Sequence, residues 1–140
     1  MAENKTEKNE KTIDSKEAIA RGRNIRISTK HAIAICNFIK GKKIMDAIEE
    51  LEKVIKMKMA IPMKGEIPHR KEGFQGRYPV KAAKVFIKLL KSLKANADAK
   101  GIDLENAKIF AKADKASRPQ RPGKYIGRRF KGTHLFVSIK

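Results

Sequence analysis

Seven lysines or arginines fall within residues 115–131 (KASRPQRPGKYIGRRFK), and no acidic residue lies among them. Such a density of one charge repels itself, and Pro119, Pro122, Gly123 and Gly127 deny the stretch any regular core element. The chemistry these residue types offer is phosphate recognition. Arg118, Arg121, Arg128 and Arg129 can hold a phosphate through paired N–H donors or stack on a base, while Lys115, Lys124 and Lys131 supply point charges. Tyr125 and Ile126 stand near the middle of the run, out of reach of any protein core. Tyr125 suits stacking on an unpaired base.

The segments on either side must hold this loop. Residues 107–117 alternate Ala107, Ile109, Ala111 and Ala113 with Lys108, Phe110, Lys112 and Asp114; residues 133–140 alternate Leu135, Val137 and Ile139 with His134, Phe136 and Ser138. This pattern predicts an extended antiparallel hairpin over 107–140 with its tip at about 118–129. Upstream, residues 24–28 (NIRIS) read as a short strand, and Ala18, Ile19 and Ala20 suggest one helical turn that Gly22 interrupts. Ser28 or Thr29 caps a helix over 30–40, with Ala32, Ile35, Cys36 and Ile39 inward and Gly41 as its stop. A second helix over 44–57 buries Ile44, Ala47, Ile48, Leu51 and Ile55 and turns Asp46, Glu49, Glu50 and Lys53 to water. Pro79 opens the longest helix, over 79–100, with a core stripe of Ala83, Phe86, Ile87, Leu90, Leu93 and Ala97. The order strand, three helices, strand, strand predicts an α+β fold: three helices on a small three-stranded antiparallel sheet, with the hairpin protruding.

Two more basic features accompany the loop. Lys81, Lys84, Lys88 and Lys91 recur at helical spacing with no acidic neighbour until Asp98, an arrangement that weakens an isolated helix and suits a row of phosphates. Residues 58–78 (KMAIPMKGEIPHRKEGFQGRY) show no period and hold five basic and two acidic residues. They read as a second contact loop, with Arg70 and Arg77 as candidates. Arg26 and Lys30, at the start of the first predicted helix, complete the candidate phosphate contacts.

The 140 residues suffice for one domain and carry a net charge of +19. Residues 1–24 are almost neutral, with six basic against five acidic groups, so the excess belongs to residues 25–140, where 28 basic face 10 acidic groups. Residues 1–14 alternate Lys, Glu and Asn and are expected to be a disordered tail before a single RNA-binding domain over 15–140. The single Cys36 permits no intramolecular disulfide, and no apolar run reaches membrane-spanning length. The chain therefore reads as intracellular, without membrane insertion. His31, His69 and His134 share no ligand spacing with each other or with Cys36, so no metal or cofactor is expected. No catalytic set is suggested either. A sequence-neutral architectural DNA-binding protein is the alternative that the charge leaves open.

Taken together, these blocks resemble the family of the universal twenty-second protein of the large ribosomal subunit (number seventeen in older eukaryotic naming), over nearly the whole chain after about residue 15. RNIRISTKHA is similar to that family's opening strand and first helix, and GRYPVKAAKVFIKLLKSLKANADAKGID to the archaeal and eukaryotic form of its long helix. RPQRPGKYIGRR followed by THLFVSI is similar to its extended hairpin and return strand. The insert around AIPMKG and HRKEGFQGRYP points to the archaeal or eukaryotic type, since bacterial members run directly from second to third helix. The resemblance implies a cytoplasmic, non-enzymatic constituent of the large subunit that binds its RNA and contacts neighbouring ribosomal proteins near the tunnel exit. It does not call for an obligate homo-oligomer. By position, Gln120, Arg121, Pro122, Gly123, Lys124, Tyr125 and Ile126 would form a hairpin tip lining the tunnel wall beside the nascent polypeptide.

Overall fold

A computed structural model describes residues 17–63 and 76–139. The expected tail over 1–14 and the middle of the insert, including Arg70, lie outside the described residues. In chain order the elements are β1 (Ala18–Ile25), α1 (Thr29–Ile39), α2 (Ile44–Ile55), β2 (Ile61–Pro62), β3 (Gly76–Arg77), α3 (Val80–Ala99), β4 (Ile109–Lys115) and β5 (Thr133–Ile139). The fold is α+β, as the order of segments predicts.

β5 is the centre of a three-stranded antiparallel sheet, between β1 and β4. Leu135, Val137 and Ile139 point from it into the core, each at most 2% exposed. Such a strand needs a partner on both edges. β4 covers one edge in unbroken register, from Ile109 opposite Ile139 to Lys115 opposite Thr133. β1 covers the other, with Ala18 opposite Ile139 and Gly22 opposite Leu135.

The helical turn expected at Ala18–Ile19–Ala20 is therefore wrong, and the strand expected over 24–28 lies earlier. Three small residues gain little from one turn of helix, whereas pairing with β5 satisfies their backbone and buries Ala18 and Ala20. Gly22 does not interrupt the segment; it pairs opposite Leu135 within it. A Cβ there would sit 2.4 Å from Ile25 Cδ1, so a larger residue would require the end of the Ile25 side chain to move. Beyond it the register shifts, with Asn24 at φ 51°, a left-handed position that Asn tolerates. This bulge turns Ile27 into the core and lets the Asn24 N–H donate to His134 Nδ1 at 3.1 Å.

One face of the sheet carries the core. α1 lies mainly along β4, α3 along β1, and α2 backs onto α3. The predicted stripe on α3 is buried throughout, together with Ala82. On α2 the stripe is rotated: Val54 is fully buried, while Ile48 and Ile55 are only partly covered. Glu50 is half-buried rather than facing water, because it pairs with Lys42, whose ammonium lies 3.7 Å from the centre of the Phe38 ring. Ser138, expected on the outer face, is nevertheless 2% exposed, because it lies between Ile19 of β1 and Phe110 of β4. The two ends of the insert pair as β2 and β3, Ile61 opposite Arg77, and Ile61 and Met63 join the buried set.

Cys36 is buried on the inner face of α1. Burial first, and the nearby charge of Asp114 second, push its thiol from an ordinary 9.0 up to about 12. An unfolded chain would lose this proton near 9 while the folded chain keeps it, so the contribution of Cys36 to stability falls as pH rises from about 9 toward 12. The folded protein should resist maleimide at about pH 8. Labelling followed by mass spectrometry should report one adduct only after denaturant is added.

Candidate nucleic-acid interface

The hairpin continues past β4 and β5 as two sparsely bonded arms. Ala116 N–H donates to Gly132 O (3.1 Å), Phe130 N–H to Pro119 O (2.9 Å) and Arg121 N–H to Arg128 O (2.9 Å), with Gln120 bridged to Arg129. The free tip is thus residues 122–127, shorter than expected. Gln120 and Arg121 belong to the arms. The tip closes on a 3-10 turn at Gly123–Tyr125, with Gly123 and Gly127 both at positive φ. Tyr125 is 44% and Ile126 78% exposed.

A chain of hydroxyls ties the root of these arms to the body. Thr133 Oγ1 donates to Ile27 O at 3.1 Å, and it lies 3.0 Å from Thr29 Oγ1. With the Thr133 hydrogen already used, Thr29 must donate to Thr133. The Thr29 oxygen then accepts from Arg118 Nη2 at 3.3 Å. Both threonines are buried, Thr133 completely. Gly132 completes the neck: a Cβ on it would lie 2.5 Å from Ser117 O and 3.0 Å from Asn24 Oδ1. The first turn of α1, the bulge after β1 and both arms therefore meet at one point.

Above this neck, residues distant in sequence converge. The guanidinium carbons of Arg26 and Arg121 lie 4.2 and 5.0 Å from the centre of the Phe130 ring. Together with Lys81 and Lys131 they line a hollow of about 450 Å³, whose lining contains no carboxylate. The structure thus brings four of the predicted contacts together. Lys84, Lys88 and Lys91 continue along the exposed face of α3, leading away from the hollow. Lys115, Arg118, Lys124, Arg128 and Arg129 are exposed along the arms and tip; Lys30 and Arg77 are exposed on the body. Across the arms Arg121 faces Arg128, and like charges in opposed positions destabilise a strand pair.

Asp114, beside Lys112 near the end of β4, is the carboxylate that precedes the arms; a larger acidic group lies elsewhere. Asp46, Glu50 and Glu105 gather near Gly41 and Lys42, beside the first residue of β4, where Gly41 N–H donates to Ile109 O. The seven residues of β4 separate that end from the arms by roughly 20 Å. Sequence reasoning missed Phe130, Thr29 and Thr133. An aromatic residue flanked by Arg129 and Lys131 was a usable signal for the first; Thr29 stood out only as a possible cap of the first helix, and nothing local marks Thr133. Among the described residues no group of three His, Cys, Asp or Glu side chains could hold a metal ion, and no helix is long and apolar enough to cross a membrane.

This arrangement of strand, helices and basic hairpin has relatives. The family described as ribosomal protein L22p/L17e matches residues 20–122. The chain belongs to this family. It is 44% identical over 124 residues to the large ribosomal subunit protein uL22 of Archaeoglobus fulgidus, covering 84% of this chain and 78% of the relative. The protein of the same name from Methanocaldococcus jannaschii is 46% identical over 100 residues, 67% of this chain and 64% of that one. That of Methanosphaera stadtmanae is 38% identical over 115 residues, 78% and 75% respectively. Membership makes this chain a ribosomal protein of archaeal type, as the insert and the long helix suggest.

Replacing Thr133 by Val should leave Ile27 O and Thr29 without their partner. The expected loss is about 1–3 kcal/mol of stability, read as a lower midpoint in urea with an unchanged slope. Replacing Ile19, away from the neck, by Val should cost less.

Proposed function

We propose that this chain is a structural, non-catalytic constituent of the large ribosomal subunit, and so cytoplasmic, that binds ribosomal RNA through its hairpin arms, its neck and the lysine face of α3. The observation that carries the reading is the opposition of Arg121 and Arg128 on arms that contain no carboxylate. Within the protein this pair has no carboxylate on its own arms to offset the like charge. Beside RNA it becomes favourable, because each arginine can take a phosphate, and contacts of this kind set position rather than read sequence. Lys81, Lys84, Lys88 and Lys91 extend the same surface along one helix face. The names of the archaeal relatives favour RNA over duplex DNA as the polyanion.

The exposed tip takes a second role in this reading. Tyr125 and Ile126 lie beyond the last paired residues of the arms, where no core of this protein reaches. With the arms held in RNA, residues 122–127 form part of the wall of the polypeptide exit tunnel and meet the nascent chain. Neighbouring ribosomal proteins near the exit contact the body.

Binding to large-subunit RNA should weaken steeply with salt, each phosphate contact adding roughly 0.7–0.9 to the log–log slope. The combined variant K124Q/R128Q/R129Q, which touches neither the neck nor the hollow, should lower that slope by roughly 2–3. An unchanged slope would remove the arms from the interface. Equal competition by duplex DNA would instead favour an architectural DNA-binding role.

A further inference from the structure

We propose that the hollow above the neck is a receptor for one unpaired ribonucleotide, holding its phosphate by Arg26, Lys81, Arg121 and Lys131 and its base against Phe130 and the guanidinium planes stacked there. This inference rests on the RNA-binding reading and names what one part of that surface takes.

Four observations carry it. Arg121 is half-buried, and its Nε, closed off from solvent, has no hydrogen-bond partner. Buried donors are almost always paired, so this one gains a partner only if the Arg121 side chain turns to bring Nε onto the hollow that the residue lines. Second, the first turns of two helices open onto the hollow, through Ser28 at the start of α1 and through Lys81 and Ala82 in α3. Neither helix has a side-chain capping bond at its N-terminus. Their first N–H groups and the positive ends of their dipoles favour an anion.

Third, the four cations meet with no carboxylate in the lining, although the chain has 15 acidic residues. An internal counter-ion was available to the sequence and is not used here. Fourth, the size is that of more than a phosphate. A water occupies roughly 30 Å³ of liquid, and a phosphate is only a few times larger. The hollow's volume of about 450 Å³ lies within the roughly 300–1,000 Å³ of small-molecule sites. Its wall also includes Ile27, Ala82 and Phe130, an apolar side that a bare phosphate would leave unused. Unpaired bases are commonly held between aromatic rings and arginine planes.

The test is an NMR titration of the full chain with adenosine and uridine 5′-monophosphates, and separately with inorganic phosphate at matched ionic strength. The nucleotides should shift the amides of Ile27, Ser28, Ala82 and Lys131, saturating below roughly 10 mM. Inorganic phosphate should bind the same residues about tenfold more weakly. R121Q and K81Q should each weaken the nucleotide by about tenfold or more, whereas K53Q, on the exposed face of α2, leaves it unchanged; two pocket variants are used so that misfolding of one does not decide the result. Equal binding of phosphate and nucleotide would overturn the base-binding half of the proposal. Shifts spread evenly over Lys84, Lys88 and Lys91 without saturation would overturn the pocket entirely. Because no ribosomal RNA is present, failure here with RNA binding intact sinks only this inference; saturation here with no RNA binding sinks the earlier reading.

Discussion

Electrostatic repulsion between the two arms of the hairpin is the constraint on which the rest of the structure turns. Arg121 and Arg128 are joined by a backbone hydrogen bond, with Gln120 and Arg129 bridged beside them, and nothing in residues 115–131 neutralises them. Such a pair of arms gains little from its few backbone bonds. It depends on a neck made rigid by other means, and the neck is where the structure concentrates its buried polar groups. The relay from Arg118 through Thr29 and Thr133 to Ile27 O, and the forced closeness at Gly132, fix the direction in which the arms leave the sheet. RNA, in the reading proposed above, then supplies the charge that the protein omits.

The body solves a different problem, by burying apolar side chains. Each fully buried side chain such as Phe86, Leu90 or Leu51 contributes about 1.5–3 kcal/mol of burial, and these side chains join three helices and the inner face of the sheet into one core. The acidic residues are kept with this part of the chain, Asp46, Glu50 and Glu105 lying at the end of β4 remote from the arms. Charge is therefore partly sorted along the length of the sheet, with Asp114, paired to Lys112 at 3.2 Å, the exception at the arm end of β4.

How legible all this was from sequence depended on the range over which each feature is decided. α3 and its stripe could be read almost residue by residue, because a 3.6-residue period with Phe86, Leu90 and Leu93 is a local signal that packing only reinforces. β4 and β5 were legible for the same reason, at period two. β1 was not. Ala18, Ala20 and Gly22 have little intrinsic preference for a strand, and what makes them one is the open edge of β5, more than 100 positions away. The rotation of α2, with Val54 inward and Ile55 partly out, follows from how it backs onto α3, which a helical wheel cannot contain.

The same distinction explains the site. Cationic residues could be listed in advance from their type alone, and the structure places them on the surface of the arms, tip, α3 and α1 or in the lining of the hollow. Their grouping could not. Arg26, Lys81, Arg121 and Lys131 come from four separate segments, and they meet only because the bulge at Asn24 swings residues 26–28 toward the arms while the start of α3 lies across the hollow. Phe130 is the piece that joins them, carrying two guanidinium groups over its ring. A side chain chosen only to fill space there would not hold two arginines in place. An aromatic ring offers a face of partial negative charge to both, so it organises cations that would otherwise drift apart. The arms can thus present their charge as a shaped surface before any polyanion arrives.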